Sequence, residues 1–182
     1  MRLKILACVI IFVILTVAFS TSYTTVNIDN IAVVVAMGID LNTDGTLKVC
    51  FQFTNPSSIS ENGSSEQSSS IIKTVTSTSI NSAINVMNSN IGKELSLSHC
   101  KLVVFSEDMA KKGITNEIYT LINNAQIRPS TNVVISKCPA KYYISNSIPL
   151  LENLISKHYE LFLNSSQYTG YTCNATIGDF FD

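Results

Sequence analysis

The chain has 182 residues, a net charge of -1 from 12 basic and 13 acidic side chains, and only 14% charged residues. That balance, without a basic stripe, excludes an electrostatically driven nucleic-acid partner. With an N-terminal export segment set aside, about 160 residues remain, enough for one domain to bury a core and fold without staples.

Arg2 and Lys4 precede residues 5–19, which carry no charge and one hydroxyl, Thr16. A positive start followed by an apolar run is the pattern of a secretory signal. The positive end stays inside, so the rest of the chain is delivered to the outer face of the membrane. Fifteen residues are short for a spanning helix, which needs about 20. The uncharged residues 20–25 could lengthen the run into an anchor, while Ala18 and Ser20 offer a small-x-small cleavage site. Residues 1–22 are therefore read as a signal peptide or membrane anchor, and residues 23–182 as a single exported domain.

Residues 31–35 form an apolar run that reads as a strand buried on both faces, ended by Gly38 and Asp40. Asp44-Gly45 is a hairpin signal. Residues 46–54 alternate, with Leu47, Val49, Phe51 and Phe53 on one side. Asp40 and Asp44 read as local capping groups of this turn, not as a calcium site. Pro56 stops the hairpin. Residues 57–70 hold eight serines, too little apolar surface to order themselves, and are expected to be a mobile loop. Residues 71–78 alternate as a third strand.

Ser79 or Asn81 caps a helix running to about Leu95, with Ile80, Ala83, Ile84, Met87 and Ile91 on its buried face. Residues 101–105 make a short apolar strand. Ser106 then caps a helix whose Glu107 and Asp108 suit the positive end of the dipole, and Gly113 breaks it before a second piece over 115–124. Residues 132–137 give another strand, and Pro139 opens a short helix. Pro149 precedes a longer helix over 150–163, with Leu151, Leu154, Ile155, His158, Leu161 and Phe162 inward. Residues 177–181 suggest a helical turn. The order of elements predicts an α+β fold, a mixed, mostly antiparallel sheet packed with helices.

Candidate chemistry is sparse. The five cysteines, Cys8, Cys50, Cys100, Cys138 and Cys173, show no zinc-ligand spacing. Export would permit disulfides, but Cys50 and Cys138 sit in apolar runs and read as small buried hydrophobes. His99 and Cys100 are neighbours on an extended segment, so their side chains point apart and cannot form a nucleophile–base pair. His99 reads as a hydrogen-bonding residue at a strand edge, and His158 as core or surface. No catalytic, cofactor-binding or metal-binding set is identified.

The series of short motifs is more informative. They are Asn30-Ile-Ala-Val-Val-Val-Ala-Met-Gly-Ile-Asp40, Gln52-Phe-Thr-Asn-Pro56 and Ser98-His99-Cys100-Lys101, followed by Ala110-Lys-Lys-Gly-Ile114 and Gln126-Ile-Arg128. Pro149-Leu-Leu-Glu152 matches loosely. In this order and spacing the chain resembles the N-terminal domain of the C subunit of spore germination receptors, the Ger(x)C lipoprotein family. The resemblance covers about residues 26–182. It implies a non-enzymatic subunit that works with integral membrane subunits of a nutrient germinant receptor at the outer face of the cytoplasmic (spore inner) membrane. It also implies two departures. Ser22 stands where the family has a lipidated cysteine, and serine cannot form the thioether. The family's further C-terminal domains are expected to be absent from a chain of this length. His99, Lys101 and Arg128 are the matched polar positions expected to serve structure or interaction. The alternative reading is a stand-alone exported solute-binding or adhesion module.

Overall fold

The computed structural model describes residues 30–54, 70–149 and 154–170, with 173–180 and the short stretches 4–6, 10–12, 16 and 152. Most of the leader, Ser22 and all of the Ser-rich segment except Ser70 lie outside the described residues. Residues 1–30 and 31–182 form separate compact units; in the first, residues 4–6 and 10–12 are helical.

The second unit is built on a six-stranded mixed sheet: β1 (Ile31–Leu41), β2 (Leu47–Phe53), β3 (Ile71–Ser77), β4 (Glu94–Ser96), β5 (Leu102–Ser106) and β6 (Asn132–Ser136). The order is β3-β2-β1-β5-β6, with β4 also paired to β1. The β1–β2 and β2–β3 ladders are antiparallel. The β1–β4, β1–β5 and β5–β6 ladders are parallel. The expected mixed sheet is present, and its second half is parallel because helices return the chain to the same end each time.

Five α-helices pack on it: α1 (Ile80–Ile91), α2 (Glu107–Lys112), α3 (Thr115–Ile122), α4 (Ala140–Asn146) and α5 (Ile155–Asn164). Ser79 caps α1 by accepting from the Ser82 N–H, and Gly92, at φ 63°, ends it. The helix therefore stops short of Leu95. Asn88 instead holds the Leu95 N–H at 2.8 Å and sets up β4, a strand too short to read from periodicity. Ser106 caps α2 as expected, with Glu107 and Asp108 in its first turn.

β1 runs through Gly38 and Asp40 to Leu41. Its pairing to β2 slips between Val34 and Ala36. The extra residue changes which side chains face which way: Val34 and Met37 join one core, and Val35 and Ala36 join the other. The first core holds Phe51, Phe105, Met87, Leu121 and their neighbours beneath α1, α2 and α3. The second holds Val35, Ala36, Cys50, Leu102 and Val104 beneath Ala140, Ile144, Ile155, Tyr159 and Leu163.

Two expectations change. Asp44 alone serves the hairpin turn, accepting from the Thr46 N–H at 2.9 Å and its hydroxyl at 2.6 Å. Asp40 points elsewhere, as described below. On α5, the inward residues are Ile155, Tyr159 and Leu163, while Leu154, Leu161 and Phe162 are exposed. The helix is turned by about one residue position, roughly 100°, from the expected face. It begins at Ile155, with Leu154 as its N-cap residue.

Candidate functional site

The motif residues, scattered along the sequence, converge on the docking of α4 and α5. Gly38 sits in β1 between Cys50 of β2 and Val104 of β5. A Cβ there would lie 2.6 Å from Cys50 Sγ and 3.0 Å from both Ala140 Cβ and Ile144 Cδ1. The missing side chain lets α4 lie close against the strand. Two residues on, the Asp40 carboxylate accepts from the Ala140 N–H at 2.7 Å and the Lys141 N–H at 3.4 Å. Pro139, the residue preceding α4, provides no side-chain cap, so Asp40 supplies one from a hundred residues away. This satisfies backbone donors that burial would otherwise leave orphaned.

Gln52 fastens α5 through a side chain in the middle of the helix. It is 1% exposed, and its Oε1 accepts from the Tyr159 hydroxyl at 2.7 Å while its Nε2 donates to Ser70 Oγ at 2.9 Å. A buried amide is tolerated only with such partners. Burial pushes the pKa of the Tyr159 hydroxyl above its ordinary value and keeps the phenol neutral, which preserves its role as donor.

Lys101, the residue before β5, completes the set. Its ammonium lies 3.6 Å from Glu160 on α5, and Lys157 shares that carboxylate at 3.3 Å. The Lys157 hydrogen bond and charge, with Lys101 behind them, hold Glu160 below the usual carboxylate range. Both groups of the Lys101 pair are more than a third exposed, so it fixes position more than it stabilises.

The other matched residues also serve the fold or the surface. Gln126 Oε1 accepts from the Leu97 N–H at 2.8 Å and ties the loop before β5 to the segment before β6. Ile127 is buried in the first core. Arg128 is exposed, and its carbonyl accepts from the Thr131 N–H at 2.9 Å. His99 is exposed in a turn, while Cys100 beside it is buried. The expected extended segment is a turn here, so the pair is separated by burial of one side chain and exposure of the other and not by strand alternation. His99, Lys101 and Arg128 all lie at the end of the sheet where β1, β5 and β6 begin, but the ionic partner of Lys101 is Glu160.

The chemistry available is limited. Cys50, Cys100, Cys138 and Cys173 are free. Burial, with the Asp40 charge adding to it, pushes the Cys50 thiol up to about 12; burial also pushes Cys100 up to about 12. Neither forms a thiolate nucleophile at neutral pH. Among the described residues, no group of three or more His, Cys, Asp or Glu could hold a metal ion, and no helix is long and apolar enough to cross a membrane.

The motif series carries the assignment. Residues 24–182 match the family model described as the spore germination protein N-terminal domain. The chain belongs to this family. A search of curated proteins and one of solved structures found no match. Within the spore germination domain, the motif residues Gly38, Asp40, Gln52 and Lys101 can now be read as the fastenings of one helical layer. Sequence reasoning missed Tyr159, the partner of Gln52, because tyrosine beside a histidine gave no inward signal. Its spacing from Ile155 and Leu163, i, i+4 and i+8, was the clue available.

Proposed function

We propose that this chain is a non-enzymatic subunit of a membrane nutrient germinant receptor. It acts through protein–protein contacts at the outer face of the cytoplasmic (spore inner) membrane. Membership of the spore germination family over residues 24–182 carries the reading. The positive, apolar leader supports export. The use of the matched residues supports a scaffold: Gly38, Asp40, Gln52 and Lys101 are engaged in holding α4 and α5. His99 and Arg128 stay exposed at one end of the sheet, available to a partner such as an integral receptor subunit.

Deleting the gene in a spore former that encodes it, and following nutrient-triggered loss of refractility, tests the proposal. Slower germination toward at least one nutrient, restored by the intact gene, is expected. An unchanged response to every nutrient, in a strain without redundant copies, overturns it.

A further inference from the structure

The sheet keeps its two apolar cores apart, and no residue belongs to both. An exposed contact, Asn174 Nδ2 to Asn164 Oδ1 at 3.5 Å, joins the end of α5 to the C-terminal segment. Among the described residues, helices α4 and α5 reach the sheet and its flanks through the second core and three long-range polar contacts. These are Asp40 to the start of α4, Gln52 to Tyr159, and Lys101 to Glu160. Water can replace each partner once the layer lifts. The first core, closed by α1, α2 and α3, shares none of these contacts.

We infer that α4 and α5 undock from the sheet together, as one cooperative unit, while the first core stays closed. Proteins open locally and sub-globally in contiguous cooperative units, at free energies below that of global unfolding, and the separate second core marks out such a unit here. On α5 the apolar residues spread beyond the docked stripe: Leu154, Leu161 and Phe162 are 47%, 46% and 43% exposed. Undocked, the helix would offer that flank and the stripe of Ile155, Tyr159 and Leu163 together. The sheet would offer Val35, Ala36, Leu102 and Val104. The inference goes beyond the receptor reading and does not depend on it.

The chain carries its own probes. Cys50 is 1% exposed in the second core, and Cys100 is 4% exposed in the first. The full chain, in detergent micelles, is treated with a maleimide under native conditions, and each thiol is followed by peptide-resolved mass spectrometry. Cys50 is expected to react at least tenfold faster than Cys100. Asp40→Ala removes the cap of α4 and should speed Cys50 about fivefold. Amide exchange across Ile155–Asn164, a helix Asp40 does not touch, should rise by the same factor. Met87→Ala, or the milder Ile118→Val if that variant fails to fold, should speed Cys100 and leave Cys50 unchanged. Equal rates at the two thiols overturn the inference. So does acceleration of both thiols alike by the first-core variant, or an Asp40→Ala effect confined to α4.

Discussion

Gly38→Ala tests the close approach of α4 to β1. The added methyl would lie 2.6 Å from Cys50 Sγ and 3.0 Å from Ala140 Cβ and Ile144 Cδ1, all inside van der Waals contact. The strand cannot give way easily, because Gly38 is paired to β2 on one side and β5 on the other. Overpacking of this kind costs about 1–3 kcal/mol. Loss of glycine's freedom in the unfolded chain offsets roughly 0.4–1 kcal/mol of that. A net loss of about 1–2 kcal/mol is expected, lowering the thermal midpoint by roughly 2–8 °C for a domain of this size. Denaturant midpoints read by circular dichroism measure it. The cause is isolated by a double-mutant cycle with Cys50→Ala, which removes the closest atom. The double variant should be more stable than the sum of the two single changes by about 1 kcal/mol. A neutral Gly38→Ala, or strict additivity with Cys50→Ala, would refute the argument that this glycine exists to admit α4.

Tyr159→Phe leaves the buried Gln52 Oε1 without its donor and should cost about 1–3 kcal/mol; adding Gln52→Leu should recover much of it, since an apolar pair leaves no buried acceptor unsatisfied. Stability should also fall above about pH 9 through the two buried thiols. Their folded values, about 12, lie above the ordinary 9.0, so their contribution is complete below pH 9 and is lost as pH rises toward 12. By pH 10 each thiol accounts for a loss on the order of 1 kcal/mol, and the Cys50→Ala/Cys100→Ala chain should show a correspondingly flatter urea midpoint against pH. Exposed His99 and Arg128 behave differently: His99→Ala and Arg128→Ala should change stability by no more than about 0.5 kcal/mol yet slow germination when tested in spores. A loss of folding would make them structural instead.

Much of the fold was legible because periodicity and caps agree. The alternation of residues 46–54 places Leu47, Val49, Phe51 and Phe53 in one core, and Ser79 and Ser106 start their helices. What was not legible depends on distant partners. Nothing local says that Asp40 caps a helix a hundred residues away, or that Gln52 is buried because Tyr159 meets it. The buried face of α5 escapes a local reading for the same reason. Leu154, His158, Leu161 and Phe162 form a plausible stripe by hydrophobicity, but a tyrosine that finds a buried acceptor packs inward and turns the helix with it. The three-residue β4 is fixed by Asn88 and by its pairing to β1, and carries too few residues to show a period. The motif series pointed to the right family but marked structural fastenings more than a site of chemistry.

Membership of a membrane receptor is tested most directly in the spore. Dormant spore membranes carrying the tagged full chain would be solubilised in mild detergent, the chain captured, and its companions identified by mass spectrometry against an untagged control. The chain is expected to fractionate with the inner membrane and to bring multi-span receptor subunits with it. Recovery of the chain alone, from the soluble fraction of the spore core, would contradict it.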